Sequence, residues 1–378
     1  MPFSRRKLET SRRQQPRAAG RPPVRATTSG SPALIVEVTR GDRVESRHRG
    51  TIAVVGTDGK LIAHLGTDEE PILLRSSAKP FQLAPFVASG HFDAYDFPDP
   101  TQTMAVMAAS HAGEDRHVRL VQGALRAGGL SRSALQCGTH TPFDAETAQR
   151  LARDGEPPTE LRHNCSGKHA AMVLHAKAAG WDIDTYWQPD HPVQKLALET
   201  VAAVSGVPAR RIATATDGCG VVSFALPLSA IGRAYARLAD PTGLTDAALR
   251  EALTRIRDAM LAHPELVSGE RRQFDTDLMR AAPGRLVAKG GAEGLRCVGV
   301  LPGGIGGDAS AVGVAVKVED GDAARRAGVA ATCEVLRQTG FLGEVELTQL
   351  APYAAAPIRD LPRGEVVGEV RPAFTLAH

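Results

Sequence analysis

The sequence predicts an α/β chain of the α+β kind: one mixed antiparallel sheet built from both termini, with a helical lobe inserted between. Three observations carry this. β-branched runs bounded by turn residues open the chain, helical periods occupy the stretch from Lys79 to about Leu278, and strand character returns from Arg285 onward. Strands at both ends with helices between them make the termini partners in one sheet.

In chain order, residues 1–30 come first and are set apart by charge. Arg5, Arg6, Lys7, Arg12, Arg13, Arg17, Arg21 and Arg25 stand against Glu9 alone, so a formal +7 resides in the arm and the rest of this +3 chain is −4. Such an arm is too polar to bury a core and is expected to be disordered; its Arg-rich, acid-poor composition is also that of an organelle transit peptide. A basic arm on an acidic body argues against a nucleic-acid partner. No apolar run is long enough to span a membrane, and the start lacks the apolar core of a secretory signal.

The body, residues 31–378, is expected to draw its sheet from about 31–75 and 285–378 and its helical lobe from about 76–284. Strands are expected at 33–38 and 51–55, then a hairpin over Thr57-Asp58-Gly59-Lys60 leading to Leu61-Ile62-Ala63. Helices are expected at 102–109, 117–127, 168–180, 192–206 and 245–262, each bounded by Gly or Pro. Strands follow at 285–288, 295–301 and 311–318, and a last helix at 322–338. Gly303-Gly304-Ile305-Gly306-Gly307 reads as a loop, because it lacks the strand–turn–helix unit and downstream acidic residue of a dinucleotide site.

Cys137, Cys165, Cys219, Cys297 and Cys333 are odd in number and widely spaced, which is no disulfide framework. Reduced thiols in a cytoplasmic protein fit better, and reduced thiols are available to metal.

Arg75-Ser76-Ser77-Ala78-Lys79-Pro80 holds a Ser-x-x-Lys pair. If a helix starts at Ser76, residues i and i+3 share a face and the amine can reach the hydroxyl; Pro80 fits the first turn of that helix. Serine becomes a nucleophile only beside a base, and lysine is a base only where burial or a nearby cation lowers its pKa. Alone, the motif is weak, and a serine helix cap followed by a surface lysine is the plainer reading. Lys289-Gly290-Gly291-Ala292-Glu293-Gly294, after a short apolar strand, has the layout of the Lys-Thr-Gly strand that accompanies Ser-x-x-Lys in penicillin-recognising enzymes. Ser110 ends an apolar helix in Ala108-Ala109-Ser110-His111, so two serines and two lysines could share a proton relay.

A second group is Asn164-Cys165-Ser166-Gly167-Lys168-His169 with Asp217-Gly218-Cys219-Gly220. Asn164 is a suitable helix cap, and the helix after it places Cys165, Lys168 and His169 on one side, where Cys219 can meet them. Two thiolates and a nitrogen with one open position suit zinc, though lysine is an uncommon ligand and two buried free cysteines are the plainer reading. His163, His169 and His175 read as capping or core histidines.

Taken together, RSSAKPFQ (75–82), ASHAGEDRHV (109–118), LRHNCSGKHAAM (161–172), TDGCGVVSFALPL (216–228), HPELVSGERRQFDTDLM (263–279) and KGGAEG (289–294) resemble the rhizobial-type L-asparaginase II family. The resemblance implies a serine β-lactamase/glutaminase-like fold, a homodimer, and two serine–lysine tandems matched by Ser76/Lys79 and Ser110/Lys289. It also implies zinc held by Cys165, Lys168 and Cys219, and further active-site positions at Arg75, His169, Asp217 and Gly290. Ser76 would attack the side-chain amide of asparagine, Lys79 would take its proton, and Arg75 and Asp217 would meet the substrate's carboxylate and ammonium. Two rivals stay open: a zinc-bound hydroxide as the attacking group, and a penicillin-recognising or amino-acid-binding relative without this activity. The KGGAEG loop lacks the hydroxyl of Lys-Thr-Gly, which counts against β-lactam chemistry.

Overall fold

The computed structural model describes residues 32–67, 70–304 and 310–378. The basic arm therefore lies outside the described residues, as does most of the glycine-rich loop.

The chain opens on β1 (Ala33–Arg40), turns over Gly41-Asp42 and returns as β2 (Arg43–Gly56). β2 is long because it serves two neighbours in succession along one flank: Arg43 to Gly50 pair with β1, and Ile52 to Val55 pair with β3 (Leu61–Leu65). The expected hairpin joins β2 to β3, with Gly59 at φ 91° and the Gly56 N–H on the Lys60 carbonyl at 2.9 Å. β4 (Ile72–Leu73) leaves this sheet and leads into the helical lobe.

That lobe holds α1 (Lys79–Ala88), α2 (Pro100–Met107), α3 (Asp115–Ala127), α4 (Ala145–Asp154), α5 (Ser166–Ala178) and α6 (Pro192–Ser205). Then come β5 (Ala213–Thr216) and β6 (Val222–Leu226), followed by α7 (Leu228–Ala239), α8 (Ala247–Ala262), α9 (Pro264–Val267) and α10 (Phe274–Ala281). α1 is buried from Lys79 to Val87 because its sequence, KPFQLAPFVA, is apolar on every side; it lies among α2, α5, α6 and α8. The five expected helices are present with ends shifted by a few residues. β4, β5 and β6 form a small separate sheet, of which β5 and β6 fall inside the stretch the sequence marked as helical.

The chain returns to the main sheet with β7 (Leu286–Ala288), β8 (Leu295–Val300) and β9 (Val312–Val318). After α11 (Ala327–Gln338) it ends with β10 (Pro357–Arg359) and β11 (Val366–Pro372). The antiparallel order is β10-β11-β1-β2-β9-β8-β7, so strands from the two ends meet at β2–β9 and again at β1–β11. The expected α+β architecture is what is found. One element is corrected: α11 begins at Ala327, not 322. Asp322 has φ 49°, off the helix, and its carboxylate accepts the N–H groups of Arg326, Ala327 and Gly328. The residue expected to open the helix therefore caps it.

Two close approaches fix how layers meet. A β-carbon on Gly313 of β9 would lie 1.7 Å from the Gly232 carbonyl oxygen, so α7 lies directly on the sheet. A β-carbon on Gly167 would lie 2.0 Å from the Val106 carbonyl oxygen, so the start of α5 presses on the end of α2. The second contact assembles the site.

Candidate active site

A cleft of about 420 Å³ is lined by Ser76, Ser110, Asn164, Asp275, Lys289 and Arg296, among others. Ser76 lies in a 3-10 turn, Arg75–Ala78, that runs into α1, and Pro80 occupies the first turn of that helix, as its φ and missing N–H require. The Ser76 hydroxyl makes no hydrogen bond among the described residues, and it is only partly buried.

Lys79 is fully buried behind the cleft. Its amine is 2.6 Å from the Ala109 carbonyl, 2.8 Å from Ser110 Oγ and 3.1 Å from the Asn164 carbonyl. The lysine of the Ser-x-x-Lys motif is thus hydrogen-bonded to the other serine. Burial lowers its pKa first of all, and the neighbouring Lys168 adds to this against the pull of the Cys165 sulfur. The amine donates to both carbonyls and to Ser110 Oγ.

Lys289 leaves the end of β7 with 1% of its surface exposed, and its ammonium donates to the Gly290 carbonyl at 2.8 Å. It lines the same cleft as Ser110 without a hydrogen bond to it. Burial pushes this lysine down to about 7, with Asp275 opposing the shift and Lys79 adding to it. The buried Tyr235 of α7 holds the two sides together, donating to the Ser77 carbonyl at 2.8 Å and reaching the Lys289 carbonyl at 3.3 Å.

The thiol group is also assembled. Cys165 and Cys219, both buried, face one another, and Lys168 donates to Cys219 Sγ at 3.1 Å. The neighbouring Cys219 sulfur and burial push the Cys165 thiol up, while Cys219 is held down by its contact with Cys165 and by the Lys168 ammonium. Burial opposes the charge on Lys168, but Cys219, then Cys165 and Asp217, outweigh it and keep the ammonium. Asn164 does not cap α5 as expected; Cys165 takes that position. The Asn164 N–H instead meets His140 Nε2 at 3.0 Å, and its side-chain oxygen accepts the Cys165 thiol at 3.5 Å.

The donor chemistry here, two sulfurs and one amine, fits zinc; the buried His169 Nε2 nearby has no hydrogen-bond partner among the described residues. Among the described residues, no three His, Cys, Asp or Glu side chains cluster as metal ligands, so an ion here would need the Lys168 nitrogen as its third protein donor.

Arg75 and Asp217 occupy each other. Arg75 Nε donates to Asp217 Oδ1 at 2.7 Å, and the same oxygen accepts the Gly218 N–H at 2.8 Å. Neither is among the cleft-lining residues. His169 is fully buried on Tyr186, its Nδ1 2.7 Å from the phenol oxygen. Gly290, by contrast, lines the cleft. Non-glycine residues with left-handed backbone, among those described, are Arg75, Arg272, Glu293, Asp322 and Arg325; four line the cleft and the fifth precedes Ser76. Backbone strain of this kind gathers at functional sites.

Asp275, Ser268, Arg296 and Tyr235 were not singled out from the sequence. Asp275 and Ser268 do fall inside block 263–279, one of those that carry the family resemblance, the one signal that pointed to them.

Two serines and a lysine on one cleft, with a second lysine desolvated behind them, are equipment for amide cleavage, and comparison with known families makes the chain an amidohydrolase. It belongs to the L-asparaginase II family, whose model matches residues 36–372. No curated protein matches the chain in sequence. Among solved structures, a probable glutaminase from Bacillus subtilis is 12% identical with a TM-score of 0.35, over 76% of this chain and 84% of its own. A Bacillus glutaminase is 13% identical with a TM-score of 0.39, over 77% and 91%. A β-lactamase from Burkholderia ambifaria is 16% identical with a TM-score of 0.36, over 77% and 95%. Superpositions this loose carry no argument, and the assignment stands on the family match. Among the described residues, no helix is long and apolar enough to cross a membrane.

Proposed function

We propose that the chain hydrolyses the side-chain amide of L-asparagine to L-aspartate and ammonia, with Ser76 as nucleophile. The observation that carries this is the free Ser76 hydroxyl in a cleft backed by the desolvated, hydrogen-bonded Lys79–Ser110 pair. Ser76 Oγ bonds to the amide carbon as its proton passes to Lys79. Ser110 gives its proton to the departing nitrogen and takes the one Lys79 holds, so the C–N bond breaks and ammonia leaves a β-aspartyl ester. Water then adds to the ester carbon, giving a proton to Lys79, and the bond to Ser76 Oγ breaks as that proton passes to the serine oxygen. The backbone N–H groups of Ser76 and Ala292 have no partner among the described residues, and both residues line the cleft, which suits them to hold the tetrahedral oxyanion. Each such donor is typically worth about 3–4 kcal/mol. Lys289 keeps a neutral amine available near pH 7 on the opposite wall.

Zinc, when bound, would be held by Cys165, Cys219 and Lys168 and would supply fixed positive charge and Lewis acidity beside the site. In this reading, Arg75 and Asp217 brace the turn before Ser76 against the Cys219 loop.

The 2.8 Å bond between Lys79 and Ser110 favours a second reading in which Ser110 attacks and Ser76 relays. A diazoketone analogue of asparagine separates the two. Mass spectrometry of digested protein should find the adduct on the peptide carrying Ser76, and Ser76→Ala should lower ammonia release by several orders of magnitude. An adduct on Ser110, or near-normal turnover by S76A, overturns the assignment.

A further inference from the structure

The Arg75–Asp217 pair raises the question of what receives the two fixed charges of an amino acid, since Asp217 Oδ1 already holds the Arg75 Nε–H and the Gly218 N–H and neither residue lines the cleft. A second arginine–aspartate pair lines the cleft itself, and it is not saturated. Arg296 Nη1 and Asp275 Oδ1 are 3.5 Å apart, against 2.7 Å for Arg75–Asp217. A single contact of that length is a poor hydrogen bond. The Arg296 guanidinium has 17% of its side-chain surface exposed and makes no hydrogen bond among the described residues; its other neighbour is the Phe274 ring, 5.8 Å from the guanidinium carbon. A half-buried cation on the cleft wall, with five forked donors and no hydrogen-bonded acceptor among the described residues, is prepared for a carboxylate, which such a fork meets bidentately.

Asp275 is the complement. It is 5% exposed, and its Oδ2 accepts the Gly290 N–H at 2.8 Å with Ser268 Oγ at 3.5 Å. Its Oδ1 has only the long approach of Arg296, which leaves lone pairs for an ammonium. Gly290 makes the arrangement possible. A β-carbon there would lie 2.5 Å from Arg296 Nη1 and 3.5 Å from Asp275 Oδ2, in the space between the two charges.

We infer that Arg296 and Asp275, left uncovered because position 290 is glycine, form the receptor for the α-carboxylate and α-ammonium of the substrate. This rests on the amidase reading above and names its substrate class: ω-amides of free α-amino acids, with both charges present. Amides lacking either charge, and peptides in which one is blocked, fall outside it.

The test uses the full chain and three amides: asparagine, succinamate, which lacks the ammonium, and 3-aminopropanamide, which lacks the carboxylate. Wild type should prefer asparagine over both by kcat/KM for ammonia release. Asp275→Asn should collapse the preference over succinamate, and Arg296→Gln the preference over 3-aminopropanamide, each by about thirtyfold or more, as expected for one partner of a desolvated charge contact. Arg296→Lys should recover part of the second preference, which a purely structural role would not predict. Equal losses for asparagine and both truncated amides, or unchanged ratios, overturn the inference. Calorimetry with asparagine on the S76A protein reads the receptor without turnover, after near-ultraviolet circular dichroism has shown each variant folded. If wild type releases no ammonia yet S76A binds asparagine and S76A/R296Q does not, the receptor stands and the amidase reading falls. If S76A/R296Q and S76A/D275N bind asparagine as tightly as S76A, or S76A binds none, the receptor falls.

Discussion

Replacing Gly167 by alanine tests whether the site depends on one backbone contact rather than on its ionisable residues alone. The residue is second in α5, and its added β-carbon would stand 2.0 Å from the Val106 carbonyl oxygen and 3.3 Å from Met107 Cα. Since β-carbons keep at least 3.0 Å from such atoms, the first turn of α5 must back away from α2 by about 1 Å. Helix propensity alone would favour alanine by about 1 kcal/mol. Overpacking against rigid backbone opposes it by about 1–3 kcal/mol, so stability should stay level or fall. Catalysis should suffer more. The Lys79 amine spans this contact, bonded to Ala109 and Ser110 beyond α2 and to Asn164 just before α5, at 2.6, 2.8 and 3.1 Å. A misplacement of about 1 Å in such a constellation can cost about a hundredfold in rate. Ammonia release from saturating asparagine, with a thermal melt on the same sample, decides it. G167A that melts higher than wild type and keeps about half its turnover or more would refute the reasoning, because propensity would then have won over packing.

Four further outcomes follow from the same geometry. Neutral Lys289 is the proton-accepting form, so kcat/KM should rise with pH through about 7 and then level; Lys289→Arg, charged throughout, should remove both the limb and most of the activity. Because unfolded lysine holds its proton to near 10.5 and folded Lys289 loses it near 7, the unfolded chain binds more protons between those values. Stability contributed at this position must therefore rise with pH across that window, and Lys289→Met should flatten the slope in urea titrations at several pH values. Tyr235→Phe strands the buried Ser77 and Lys289 carbonyls, and should cost about 1–3 kcal/mol in denaturant unfolding while lowering kcat more than it raises KM. Cys219→Ser should dialyse free of zinc, as read by elemental mass spectrometry, whereas Cys333→Ser in α11 should retain whatever the wild type holds.

What could be read in the sequence was local. Ser76, Lys79 and Pro80 define a helix start because their spacing is within one turn, and Lys289-Gly290-Gly291 announces itself as a glycine-rich end to a short strand. The alternation of strand and helix periods was enough for the sheet made by both ends. Two serines and two lysines sharing a relay could be suspected, but which pair would bond was not readable: Lys79 meets Ser110 through the packing of α1 on α2, and Asn164 where Gly167 lets α5 close on α2, and no spacing records either. Arg296 and Asp275 sit on β8 and α10, joined by the packing of α10 on the neighbouring β7. Asp217 looked like a substrate anchor because its charge suited one; its 2.7 Å bond to Arg75 is a tertiary fact. β5 escaped notice since Ala213-Thr214-Ala215-Thr216 is fully exposed and has no buried face to mark it.

The pairing of β2 with β9 and of β1 with β11 has a consequence for biosynthesis. A growing chain makes three strands almost at once, then the whole helical lobe, and only afterwards the strands that cover them. Through that interval the early hairpin presents naked amide edges to its neighbours on the polysome. Closure across so long a loop is slow. Cooler cultures, or a chaperone that shields strand edges, should therefore raise the soluble yield more than any improvement to the helices.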